Sequence, residues 1–122
     1  MIRVLVVDDH ELVRSGITRM LADNPDIDVI GQASSGEDAI DFVRNARPDI
    51  VLMDIRMPGI GGLEATRRIL RLDDSIRIIV VTACADDPYP ARVMQSGAAA
   101  YITKGADIQE MVRAIRKAHS GQ

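Results

Sequence analysis

Asp49-Ile50-Val51-Leu52-Met53-Asp54 is an unbroken apolar run between two acids. A strand with no polar alternation is buried on both faces, as in a parallel sheet covered by helices on either side. The same pattern repeats outward from it. Arg3-Val4-Leu5-Val6-Val7 is a β-branched run stopped by Asp8-Asp9, and Asp28 to Ala33 and Ile76 to Thr82 read as two further strands. Ala99 to Thr103 gives a short fifth. Helical spacing fills the intervals. Leu12, Val13, Gly16, Ile17, Met20 and Leu21 recur on one face up to Asn24-Pro25, and Ser34-Ser35-Gly36-Glu37 caps a helix carrying Ala39, Ile40 and Val43. Gly59, Gly61 and Gly62 form a loop before a helix with Leu63, Ile69 and Leu70. Asp86-Asp87-Pro88-Tyr89-Pro90 delays the next helix, which has about seven residues before Gly97. The last helix sets Ile108, Met111, Val112 and Ile115 on one face. Five β-then-α units with right-handed crossovers predict an α/β doubly wound parallel sheet of order 2-1-3-4-5; a closed barrel would need eight.

The bulk numbers narrow the function. The 122 residues make one domain, and 15 Lys+Arg against 18 Asp+Glu leave a net charge of −3, a poor match for a nucleic-acid surface. The lone Cys84 excludes an internal disulfide and a cysteine zinc site, and fits a reducing compartment. Apolar runs such as Ile78 to Val81 are too short to span a membrane, and Met1-Ile2-Arg3-Val4 enters a strand without a signal-peptide segment, so a soluble cytoplasmic domain is expected. Only Lys104 and Lys117 break an otherwise all-Arg basic set.

Ligands of such sheets bind beyond the carboxyl ends of the strands, between strands 1 and 3. The residues ending the strands there are Asp8-Asp9, Asp54, Thr82-Ala83 and Tyr101-Ile102-Thr103-Lys104. Taken singly, each has an ordinary explanation: the acid pair caps a helix, Asp54 opens a turn, Thr82 is a β-branched strand residue, Lys104 is a solvated cation and Tyr101 a half-buried strand aromatic. Together, three carboxylates within several ångströms need a cation. Oxygen ligands with room for water suit Mg²⁺, and the absence of a nearby His or Cys argues against zinc. Asp8, Asp9 and Asp54 sum to −3, while Mg²⁺ and Lys104 sum to +3. A phosphoryl group of about −2 esterified to Asp54 would leave about −1 and call for a hydroxyl donor, which Thr82 could supply, with Ala83 leaving space for the donor molecule. Tyr101 could swing in when Thr82 moves. His10, following the acid pair, is assigned no catalytic role. Gly59-Ile60-Gly61-Gly62 is not a dinucleotide fingerprint, and the six Met are filler.

Val6-Val7-Asp8-Asp9-His10, Leu52 to Gly59, Val81-Thr82-Ala83 and Gly97 to Lys104 stand in an order and spacing that resemble the receiver domain of bacterial two-component response regulators over residues 1–122. The Asp-Asp-His-Glu-Leu-Val-Arg opening and the Ser-Gly-Glu-Asp-Ala segment are similar to the NarL/FixJ class, GacA/UvrY-type regulators in particular. The resemblance implies a CheY-like (βα)5 fold. Asp54 would be the phosphoacceptor, taking phosphate from a histidine of a sensor kinase or a phosphotransfer domain. Asp9 and Asp54 would ligate Mg²⁺ (Mn²⁺ as the alternative ion) with the backbone carbonyl of Arg56, and Asp8 would act mainly through water. Lys104 would pair with the phosphoryl group, and Thr82 with Tyr101 would report it. The implied protein is not an enzyme beyond its own phosphorylation and dephosphorylation. It would form a phosphorylation-modulated homodimer and reach DNA through a C-terminal helix-turn-helix domain outside this chain. Most receivers carry Pro after the site lysine, whereas Gly105 follows Lys104 here.

Two other readings stand beside this one. A haloacid-dehalogenase-type phosphatase also uses Asp, Thr, Lys and Mg²⁺, but it needs a second Asp two residues after the first-strand nucleophile, where this chain has His10. A degenerate receiver acting as a constitutive binding module conflicts with the complete acidic, Thr and Lys set, whereas a stand-alone receiver is a reading that the set leaves open.

Overall fold

The computed structural model describes residues 1–83 and 90–121. Its elements alternate as the apolar runs require: β1 (Ile2–Val7), α1 (Glu11–Leu21), β2 (Ile27–Ala33), α2 (Gly36–Ala46), β3 (Ile50–Asp54), α3 (Gly61–Leu72), β4 (Arg77–Thr82), α4 (Pro90–Gln95), β5 (Ala100–Thr103) and α5 (Ile108–His119). The strands pair in parallel in the order β2-β1-β3-β4-β5. Cys84 and the Asp86–Tyr89 stretch lie outside the described residues.

The two-residue alternation of each strand divides the core in two. Leu5, Val7, Val51, Met53, Ile78 and Val80 face a cluster completed by α2, α3 and α4. Val4, Val6, Ile50, Leu52, Ile79 and Val81 face the opposite cluster, completed by α1 and α5. All five residues of β3 are buried, which is what its unbroken apolar run predicts for the central strand. Fully burying one such side chain contributes roughly 1.5–3 kcal/mol, so both faces of the sheet hold helices firmly.

Caps fix where the helices begin. Ser35 Oγ accepts from the Asp38 backbone N–H at 3.1 Å, as the cap signal predicts, and the Asp107 carboxylate does the same for Glu110 at 2.8 Å on α5. The predicted face of α1 needs correction. Ile17 and Leu21 are its buried residues, while Leu12 is 88% and Met20 46% exposed. Leu12, Val13, Met20, Ile108 and Met111 instead line a groove of about 400 Å³ between α1 and α5 that reaches Lys104. No helix among the described residues is long and apolar enough to cross a membrane.

Candidate functional site

The carboxyl edge of the sheet gathers the predicted groups. β1 runs out at Val7, and the Asp8 N–H still bonds the Ala33 carbonyl of β2 at 3.1 Å, so Asp8 leaves the sheet in strand geometry. Asp54 ends β3 and pairs in register with Val81, one residue before Thr82. The Lys104 N–H bonds the Thr82 carbonyl at 2.6 Å, which sets Lys104 just beyond β5. Asp8, Asp54 and Thr82 are buried although polar. Tyr101 is 38% exposed and pairs with Val80 in the ladder, which puts it on the same face of the sheet as α4. Arg56 is exposed two residues past Asp54. Among the described residues there is no cis peptide bond, the Gly105 that replaces the usual Pro included.

The charges divide unequally. Lys104 Nζ lies 2.8 Å from Asp8 Oδ2 and 3.4 Å from Asp54 Oδ1. Asp8 Oδ1 accepts from the His10 backbone N–H at 2.8 Å and lies 3.2 Å from His10 Nδ1. Both Asp8 oxygens are thus occupied. Asp9 Oδ1 and Asp54 Oδ2, in contrast, are buried with no hydrogen-bond partner. Nδ1 of His10 also stands 3.1 Å from Asp9 Oδ1. Orphaned buried carboxylate oxygens are costly unless a group from outside the protein completes them, and a hard divalent cation is the natural complement.

Burial, then the Asp8 charge, pushes the Asp54 carboxyl up to about 6, against the counteracting Lys104 ammonium. Burial works against the Lys104 ammonium too, yet its hydrogen bond to Asp8 and the Asp54 and Asp8 charges outweigh that and hold it above the usual lysine range.

Three contributors were not assigned from sequence. His10 stands at the N-cap of α1, and its ring joins Asp8, Asp9 and Asp54 in a cluster whose donor atoms all lie within 4.8 Å of one another. The expectation that no His lies near the carboxylates is therefore corrected: adjacency to Asp9 carries the imidazole to them. Arg14, one helical turn on, donates from Nη1 to the Asp8 carbonyl at 2.6 Å and braces the acid pair. Gly62 is more than a loop residue. A Cβ there would sit 1.9 Å from the Asp54 carbonyl oxygen, and its N–H bonds the Ile55 carbonyl at 2.9 Å, so α3 packs directly under the Asp54 backbone.

A doubly wound sheet with a buried Asp, an acid pair and a Lys at its switch point defines a class, and residues 4–116 match the family described as the response regulator receiver domain. The chain belongs to that family. Over all 122 residues it is 61% identical to the response regulator GacA of Pseudomonas aeruginosa and 57% identical to the response regulator UvrY of Escherichia coli. It spans 57% and 56% of those two proteins. A two-component response regulator of the LuxR family from Aurantimonas sp. SI85-9A1 superposes with a TM-score of 0.93 at 37% identity, over 98% of this chain and 86% of that one. The haloacid-dehalogenase alternative is not favoured.

Proposed function

We propose that this chain is the phosphoacceptor module of a GacA/UvrY-type transcription regulator, taking a phosphoryl group onto Asp54 from the phosphohistidine of a sensor kinase or a phosphotransfer domain. One observation carries the reading: Asp8 has both oxygens bonded within the protein, while Asp9 and Asp54 each keep a buried oxygen without a hydrogen bond. That division suits a Mg²⁺ or Mn²⁺ ion held by Asp9, Asp54 and the backbone carbonyl of Arg56, with Asp8 acting through water. Bound, the ion would supply charge neutralisation on the phosphoryl oxygens.

The chain's own groups would do the rest. An Asp54 carboxylate oxygen attacks phosphorus, the P–N bond to the donor histidine breaks, and the histidine nitrogen leaves with the bonding electrons. Lys104, at 3.4 Å from Asp54 Oδ1, is close enough to turn from Asp8 toward the new phosphoryl oxygens. Thr82, buried one position past Asp54's ladder partner, would donate its hydroxyl to one of them, and Tyr101 would move inward from its exposed position. The chemistry is self-modification with slow hydrolysis rather than turnover of a substrate.

The rest of the reading concerns the whole protein: a cytoplasmic regulator, homodimeric in response to phosphorylation, binding DNA through a C-terminal helix-turn-helix domain that follows this receiver. The decisive experiment incubates the chain with acetyl phosphate or phosphoramidate and Mg²⁺, then maps the adduct. One phosphoryl group on Asp54, absent in Asp54→Asn, is expected. Labelling of Asp54→Asn at the wild-type rate overturns the assignment, and steady turnover of p-nitrophenyl phosphate would point to a phosphatase instead.

A further inference from the structure

Helix capping and core packing do not account for where the His10 imidazole stands. It makes no side-chain cap bond to α1, and its side chain is 68% exposed, so neither helix capping nor core packing holds it. Its Nδ1 nevertheless stands 3.2 Å from Asp8 Oδ1 and 3.1 Å from Asp9 Oδ1. Neighbouring ligands on an octahedral ion with bonds of about 2.1 Å are about 3.0 Å apart, so the 3.1 Å between His10 Nδ1 and Asp9 Oδ1 is the separation of two donor atoms sharing one ion, while Asp8 Oδ1 stays on the His10 backbone N–H. Asp54, which keeps a buried and unpartnered oxygen, belongs to the same cluster.

We propose that His10 Nδ1 is an additional ligand of this pocket, making it a mixed nitrogen–oxygen site for a borderline divalent transition ion such as Ni²⁺ or Co²⁺. The inference rests on the acidic pocket being a cation site, and adds a ligand that an all-oxygen Mg²⁺ site does not require. Mg²⁺ gains little from an imidazole, whereas Ni²⁺ and Co²⁺ gain a good deal. With the ring proton carried on Nε2, the Nδ1 lone pair is free to face the ion. His10 thereby decides which ions compete for the pocket, and so which ion accompanies Asp54.

Calorimetric titration of the chain with MgCl2 and NiCl2 at one fixed pH tests this, in wild type, His10→Asn and His10→Gln. His119→Asn serves as the control, since that residue lies beside Asp49 and Arg77 at the other end of the sheet. Mg²⁺ affinity is expected to stay within about twofold in both His10 variants while Ni²⁺ affinity falls about tenfold or more. The Co²⁺-loaded wild type should show one strongly shifted exchangeable imidazole N–H proton resonance that persists in His119→Asn and vanishes in His10→Asn. Mg²⁺ binding with Ni²⁺ affinity unchanged in the His10 variants overturns the inference alone. Failure of wild type to bind either ion overturns both it and the cation site on which it rests.

Discussion

Lys104 Nζ is closer to Asp8, at 2.8 Å, than to Asp54, at 3.4 Å. Lys104 is therefore held by the carboxylate that already has its other oxygen on the His10 backbone, leaving Asp54 the less compensated acid. Removing that cation leaves three carboxylates facing one another. Lys104→Met should destabilise the metal-free domain at neutral pH by about 3 kcal/mol, since breaking a largely buried pair strands its partner. The same change makes the pocket one charge more negative, so Mg²⁺ should bind more tightly. Urea melts in EDTA and a Mg²⁺ titration check both; weaker Mg²⁺ binding with unchanged stability would show that Lys104 does not set the pocket's charge.

Asp54 gives a pH dependence of definite sign. Its carboxyl in the folded chain sits at about 6, above the ordinary 3.8, so the folded state keeps a proton that the unfolded state has lost. Stability from this group is full below about pH 4 and is lost as pH rises through about 6. Asp54→Asn removes the penalty and should stabilise the metal-free chain by about 1–3 kcal/mol at pH 7.5, with little difference at pH 3.5. Equal denaturation midpoints at pH 7.5 would mean that Asp54 is not strained by its burial.

Mg²⁺ should bind the native chain and raise its stability by about 2.7 kcal/mol at one hundred times Kd. Asp9→Ala removes one of the two orphaned oxygens and should abolish most of that gain, while raising the metal-free melt slightly by removing a buried unpartnered charge. A wild-type Tm indifferent to millimolar Mg²⁺ would rule out the metal site.

Much of this arrangement is readable from residue order alone, because period and topology carry it. The apolar runs give five strands, and the parallel order then forces Asp8, Asp9, Asp54, Thr82 and Lys104 to one edge without any tertiary information. What escapes is whatever depends on approach distances. Nothing in Gly59-Ile60-Gly61-Gly62 distinguishes Gly62, whose lack of a side chain lets α3 meet the Asp54 carbonyl, from its neighbours. Helical spacing likewise groups Leu12 and Met20 with Ile17 and Leu21, but only the last two reach the sheet. His10 and Arg14 follow Asp9 closely in the chain, yet the direction of their side chains is set by how α1 leaves β1.

Gly62→Ala tests the approach distance directly. A Cβ placed 1.9 Å from the Asp54 carbonyl oxygen cannot be accommodated by rotating a side chain, because the obstacle is backbone. The helix or the end of β3 must shift, at a cost of about 3 kcal/mol. A matching drop in phosphoryl transfer from acetyl phosphate is expected from displacement of Asp54. Full stability and a full transfer rate in Gly62→Ala would show that α3 can slide freely beneath the site.

The switch prediction concerns Thr82 and the segment that follows it. α4 spans only Pro90–Gln95, six residues, far below the ~12–15 at which an isolated helix becomes marginally stable, so α4 depends on its packing against the sheet through Val93. The expected rearrangement of residues 86–97 falls partly outside the described residues, but its α4 portion can be followed. If Thr82 is drawn to a phosphoryl oxygen and Tyr101 turns inward, the packing of α4 changes, with a coupling of about 1–3 kcal/mol to self-association. Thr82→Ala should then accept phosphate on Asp54 at a measurable rate yet respond weakly to it. Hydrogen exchange over residues 90–104, with and without beryllofluoride as phosphoryl mimic, should differ in wild type and differ much less in Thr82→Ala. Identical protection of that segment in loaded and unloaded wild type, with changes confined to α1 or α2, would place the switch elsewhere in the domain.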